Sequence, residues 1–196
     1  MQDLVFESTR GMTQEEFASW VEKRGRWDQS RYELLNGRVL STPPAGYPHG
    51  SVGNAVQCAL GNAARARKLG RVFDSSQGFE FPSGDTVEPD HSFVSKERWA
   101  AAPKPEPGKF LKVVPDLIVE VLSTSTASRD RGEKKGIYEQ NGVREYWLVD
   151  TRAREVTVFR LKGKRYGIGK VHGEGRPIRS TALVGLALDP AEFFSE

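Results

Sequence analysis

The stretch Val113-Val-Pro-Asp-Leu-Ile-Val-Glu-Val-Leu122 limits what this chain can fold into more than any other part of it. A nearly unbroken β-branched and aliphatic run marks a strand covered on both faces, as in α/β domains. Glu120 interrupts that run at a point where every neighbour favours a core. Removing an ionised carboxylate from water costs several kcal/mol unless a cation or metal accompanies it. Three outcomes are open: a buried ion pair with an arginine, a strand end that reaches solvent, or a functional carboxylate. The third is favoured. Asp116 lies on the same face of the strand, because side chains alternate with period two. Two acids ~13 Å apart along a strand, at ~3.3 Å per residue, cannot ligate one ion together. Asp116 is therefore expected in a structural or outlying position.

Around this strand the chain alternates helical and extended signals. Thr13-Gln-Glu-Glu16 is a capping box, and Phe17, Trp20 and Val21 follow at helical spacing, which predicts a short helix to about Lys23. Asn36-Gly37 between Arg31–Leu35 and Arg38–Leu40 predicts a tight hairpin. Pro43, Pro44 and Pro48 then break the chain before a second helix, from about Gly50 to Leu69 with Gly70 as its stop. Short strands are expected at Arg71–Asp74 and Gly78–Phe81 and from Glu88 to Val94. The proline-rich Lys96–Lys109 reads as a surface loop. After Glu120 come a polar connector, Ser123–Ser128, a helix from about Arg129 to Gln140, and a strand at Glu145–Asp150. Strands at Arg154–Leu161 and Thr181–Leu188 are expected to complete the sheet. No repeat or composition break divides the 196 residues, so one domain is expected, with residues 1–12 as a possible extension.

Other residues gain meaning only from their neighbours. Asp90, in Glu88-Pro-Asp-His91, stands at a strand entrance fixed by Pro89. On its own it reads as a surface turn. Beside the Glu120 strand it would instead supply the second oxygen ligand of a site for Mg²⁺ or Mn²⁺, with waters and a phosphate completing the octahedron. Asp130, Lys134 and Tyr138 share a helix face at i, i+4 spacing, and the helix packs back over the sheet. Lys134 is thus either half of an exposed pair with Asp130 or a cation aimed at a reacting phosphate. Lys135 is its nearest substitute. Glu33, on the hairpin, and His49, ahead of the second helix, are either rim residues of the same site or ordinary solvent and cap residues.

Composition excludes several classes. One cysteine, Cys58, and three scattered histidines leave no framework for disulfides or structural zinc. No phosphate-cradling glycine loop or nucleophile elbow is present. No apolar run approaches the ~18 residues of a membrane helix, and the N-terminus lacks the grammar of a signal peptide. A cytoplasmic location and no membrane partner are expected. Twenty-nine Lys+Arg against 26 Asp+Glu leave +3, which permits a nucleic-acid partner without demanding one. A homodimer would gather two modest basic faces.

The ordered string Tyr32-Glu-Leu-Leu-Asn-Gly37, His49, Pro89-Asp90, Pro115 to Ser123, Asp130-Arg-Gly-Glu-Lys134, Tyr138 and Gly142-Val-Arg-Glu-Tyr-Trp-Leu-Val-Asp150 resembles the Uma-two family of bacterial restriction-endonuclease-like proteins. The resemblance runs from about Thr13 to the C-terminus, and Pro115–Asp150 is its specific part. It implies an α/β fold of the PD-(D/E)xK nuclease type, with a mixed central sheet flanked by helices, divalent metal, and hydrolysis of DNA. Asp90 and Glu120 take the two acidic, metal-holding positions. Leu122 stands where the wider superfamily pattern has a lysine. The resemblance implies that the cation comes from the following helix, at Lys134. Two other classes stay open: a nucleic-acid-binding or regulatory module without catalysis, and a hydrolase of smaller phosphate compounds.

Overall fold

The computed structural model describes residues 6–195 except 9, 25–27, 29 and 43. The break assigned to Pro43, and the first five residues of the expected extension, lie outside the described residues. The first part of the chain runs β1 (Phe6–Glu7), α1 (Gln14–Glu22), β2 (Arg31–Leu35), β3 (Arg38–Thr42), α2 (His49–Ala66), β4 (Gly70–Phe73), β5 (Phe79–Glu80) and β6 (Thr86–Val87). The central part continues through β7 (His91–Ser95), α3 (Lys96–Ala101), β8 (Leu117–Leu122), α4 (Ala127–Arg129), a π-helical turn (Asp130–Lys134), α5 (Lys135–Gln140) and β9 (Glu145–Asp150). It ends with β10 (Glu155–Lys162), β11 (Arg165–Tyr166), β12 (Lys170–His172), β13 (Ile178–Arg179), β14 (Ala187–Leu188) and a 3₁₀ turn (Pro190–Phe193).

The aliphatic run becomes β8, in the middle of a mixed sheet ordered β4-β7-β8-β9-β10, with β11 and β12 each pairing β10. β8 and β9 are parallel and the other pairs antiparallel. All six residues of β8 are buried, because both faces are covered. On one face Leu117, Val119 and Val121 pack with Trp147 of β9 and with Val52, Val56 and Leu60 of α2. On the other, Ile118 and Leu122 meet Ile137 and Tyr138 of α5, Leu35 and Phe79 of a second, antiparallel sheet ordered β1-β3-β2-β6-β5, and Phe81 just after β5. Each large aliphatic side chain fully buried this way contributes roughly 1.5–3 kcal/mol. Glu120 lies on that second face, where it meets Lys134 and Tyr138.

Local signals explain the small sheet. Thr13 caps α1 with a complete capping box, and Phe17 packs on Tyr32, Leu34 and Val39. Asn36 (φ 50°) and Gly37 (φ 76°) make the β2–β3 turn, which fixes the register that pairs Glu33 with Leu40.

Four expectations are corrected. Lys96–Ala101 is helical rather than loop, since Ser95 accepts a hydrogen bond from Arg98 N and so caps it. The helix after Glu120 begins at Ala127 and passes through a π turn. α2 ends at Ala66, with Lys68 in the left-handed region (φ 52°). Gly70 serves instead where β4 meets β7, because a Cβ there would sit 2.1 Å from the carbonyl oxygen of Val94. Finally, only Ala187–Leu188 of the expected C-terminal strand is extended, and it pairs with β13 apart from the main sheet.

Candidate active site

The antiparallel pairing of β7 with β8 sets His91 opposite Val119, so Asp90, one residue before β7, emerges beside Glu120. Backbone hydrogen bonds lace the two acids together. Val121 N donates to Asp90 Oδ2 at 2.9 Å, and Asp90 N donates to Glu120 Oε2 at 3.4 Å. His91 turns to the opposite face, where its Nδ1 meets Gln57 Oε1 at 3.0 Å.

The crossover from β8 to β9 brings the cation. Its π turn, a rare geometry that recurs at functional sites, directs both Asp130 and Lys134 inward, where each is buried. Lys134 Nζ lies 2.6 Å from Glu120 Oε1 and 2.9 Å from Glu33 Oε1. Tyr138, one turn further, donates its hydroxyl to Glu120 Oε1 at 2.6 Å. Glu33 Oε1 also accepts from Glu88 N at 2.9 Å. Asp90 is held separately: Arg31 Nη1 reaches Oδ1 at 2.8 Å, and His49 Nε2 lies 3.1 Å from Oδ2. Asp90, Glu120, Lys134, Glu33, His49 and Tyr138 are thus brought together.

Two other expectations are resolved differently. Lys135 points away, its Nζ 4.3 Å from the centre of the Phe159 ring, because adjacent helical residues face different ways. It cannot substitute for Lys134. Asp116 lies at the far end of β8, where it accepts from Ser95 N at 2.7 Å and ion-pairs with Arg98 and Arg144 at 3.1 and 3.2 Å. It braces the strand's entry and takes no part in the site. Glu145 is likewise locked, by Arg160 and Ser180. Glu120 differs from both in facing a lysine and a tyrosine beside an open cleft.

The electrostatics follow from burial and crowding. Burial lifts the Glu120 carboxyl, and Asp90, Asp130 and Glu33 add to the lift against the pull of Lys134. Burial opposes the charge on Lys134, yet Glu120, Glu33 and Asp130 together hold its proton more firmly than usual. Asp90 is held low: burial would raise it, but the His49 hydrogen bond and the Arg31 guanidinium prevail. Burial pushes Asp130 up to about 6 and, together with Glu120, keeps the Tyr138 phenol protonated.

Arg31, Glu33, Asp90, Glu120, Asp130 and Lys134 line a cleft of about 870 Å³, bounded by residues 44–49, Ser123–Thr126, the half-buried Arg129 and the exposed Arg131 and Arg152. A larger cavity, about 1100 Å³, opens between α1 and residues 103–112 and includes none of the site residues. Among the described residues no group of three or more His, Cys, Asp or Glu side chains is arranged to enclose a metal. Two paired carboxylates nonetheless suit a hard cation such as Mg²⁺, which keeps several waters and takes one or two carboxylates plus substrate phosphate.

Sequence reasoning did not single out Arg31 or Glu88. Arg31 was within reach, since strand alternation places it on the same face as Glu33. Glu88 carries no signal, because only the fold packs its carboxyl against Glu33.

The family model named Uma2, described as "Putative restriction endonuclease", matches residues 15–191. The chain belongs to the Uma2 family. The structure of this Uma2 protein is similar to a crystal structure described as "a putative nuclease belonging to DUF820 from Anabaena variabilis ATCC 29413", with a TM-score of 0.76 and 18% identity. That match covers 93% of this chain and 97% of the other, and it establishes the mixed α/β fold expected from the sequence. None of the curated proteins compared with the chain matches it. Among the described residues no helix is long and apolar enough to cross a membrane.

Proposed function

We propose that this Uma2 protein is a metal-dependent endonuclease that hydrolyses phosphodiester bonds in DNA. One observation carries the reading: two buried carboxylates from adjacent strands, Asp90 and Glu120, share a cleft with a buried lysine 2.6 Å from one of them. Asp90 and Glu120 would hold Mg²⁺ or Mn²⁺. Bound there, the ion would polarise the scissile phosphate and lower the pKa of a coordinated water. Lys134 does two things. It keeps Glu120 and Glu33 compatible in one buried site, and it presents a fixed positive charge where negative charge develops on the phosphate. Tyr138 fixes the Glu120 carboxylate by donating to Oε1. Arg129, Arg131 and Arg152 at the rim would meet the nucleic-acid backbone, so binding should weaken with salt. Because +3 is a thin charge for a DNA interface, a homodimer presenting two such rims is part of the proposal, testable by sedimentation.

Nicking of supercoiled plasmid with Mn²⁺ tests the reading, using Glu120→Gln and Asp90→Asn. Each should lower the rate by at least ~10²-fold, the scale for losing one electrostatic contributor, in a variant that circular dichroism shows to be folded at the assay temperature. A Glu120→Gln variant that cuts at the parent rate would refute the assignment. Salt-sensitive DNA binding with no cleavage under any divalent ion would favour a binding or regulatory module instead.

A further inference from the structure

Arg31 is tied to the site in an unusual way. It sits on β2 two residues before Glu33, its side chain is 29% exposed, and it lines the cleft. Its Nη1 holds Asp90 Oδ1 at 2.8 Å. No other side-chain hydrogen bond of this guanidinium is found among the described residues, although a guanidinium carries five N–H donors in a planar fork. The other oxygen of Asp90 is already engaged by Val121 N and His49. Oδ1 is therefore the oxygen a divalent ion would take, and Arg31 now occupies it.

We propose that Arg31 is a substrate-phosphate residue held in reserve by Asp90: a divalent ion and the guanidinium compete for Oδ1, and the released fork grips a backbone phosphate of the nucleic acid. This rests on the proposed function, in which Asp90 is a metal ligand. The chemistry suits both states. Arginine pairs with carboxylate and phosphate alike through the same planar geometry, and its anchor on β2 keeps it at the cleft when it leaves Asp90. Metal and nucleic acid then favour the same arrangement, so each must tighten the binding of the other.

Binding measurements test this without any turnover. Mn²⁺ affinity is read from the electron paramagnetic resonance signal of the free ion. Affinity for a short DNA duplex is read by fluorescence anisotropy with and without Ca²⁺. Removing a competing charge beside the ion should make Arg31→Gln bind Mn²⁺ about tenfold tighter than the parent in the absence of DNA, a modest share of what Coulomb's law allows at this range. The Ca²⁺-dependent gain in duplex affinity should shrink several-fold in the same variant. Arg31→Lys, which keeps the charge without the fork, should bind Mn²⁺ like the parent and the duplex more weakly. If the parent binds Mn²⁺ and Arg31→Gln binds it no tighter, the competition is refuted while the metal site stands. An unchanged Ca²⁺-dependent gain in Arg31→Gln refutes the phosphate role. If the parent binds no Mn²⁺ at all, the metal-site reading falls and the proposal with it.

Discussion

Replacing Lys134 with methionine keeps the length and apolar stem of the side chain and deletes only its charge. The parent lysine is 3% exposed and serves two carboxylates, Glu120 at 2.6 Å and Glu33 at 2.9 Å. Removing one partner of a buried pair costs about 3–5 kcal/mol, because it strands the other charge. Here two carboxylates are stranded, but they can share a proton. Tyr138 and Glu88 N still donate to them, so the low end of that range, ~3 kcal/mol, is expected at pH 8. The variant's folded state binds a proton that its unfolded chain releases near the ordinary carboxylate range, so its deficit should narrow as the pH falls toward 6. A divalent ion should also replace the missing charge, stabilising Lys134→Met by ~2.7 kcal/mol at a hundredfold excess over its dissociation constant. Urea unfolding at pH 6 and pH 8, with and without Mn²⁺, reads all three effects. A variant within about 0.5 kcal/mol of the parent at pH 8, the range of ordinary surface changes, would refute the buried-pair reasoning. Failure of Mn²⁺ to raise its midpoint would refute the view that these acids are disposed to hold a cation.

Asp116→Asn should cost about 1–3 kcal/mol, the scale for a disrupted buried charged hydrogen bond, and leave Mn²⁺ affinity unchanged; urea unfolding and metal titration check the two halves. Glu88 gives a pH signature. Burial, then the neighbouring Glu33, lift its carboxyl from 4.5 to about 7, so the folded protein holds this proton more tightly than the unfolded chain. Its stabilising contribution is complete below about pH 4 and is lost as the pH rises through 7. Glu88→Gln should flatten that part of the stability profile, and a profile that keeps its slope would show that another group produces it.

The single stretch around Glu120 carried much of the outcome: its apolar pattern announced a strand buried on both faces, and the Glu120 carboxylate inside that pattern announced a reason for being there. Capping at Thr13 and the Asn36-Gly37 turn were equally legible, because such signals depend on residues within one turn of each other. Asp90 became meaningful once its strand was set beside that of Glu120, and this the pattern could pose only as a condition. The i, i+4 spacing already set Lys134, and not Lys135, on one face with Asp130 and Tyr138, but only the fold turns that face to Glu120. The separation of Asp116 from the site followed from β-strand period and length. Of its two arginine partners, Arg144 stands just before β9 and Arg98 comes from α3, inside a segment whose prolines concealed a helix capped by Ser95. The Arg31–Asp90 contact joins residues 59 positions apart. Local chemistry declares what a residue can do, whereas strand order and helix rotation decide which distant charge it meets. In a buried site that meeting sets the protonation, the pairing and the ion each acid can accept.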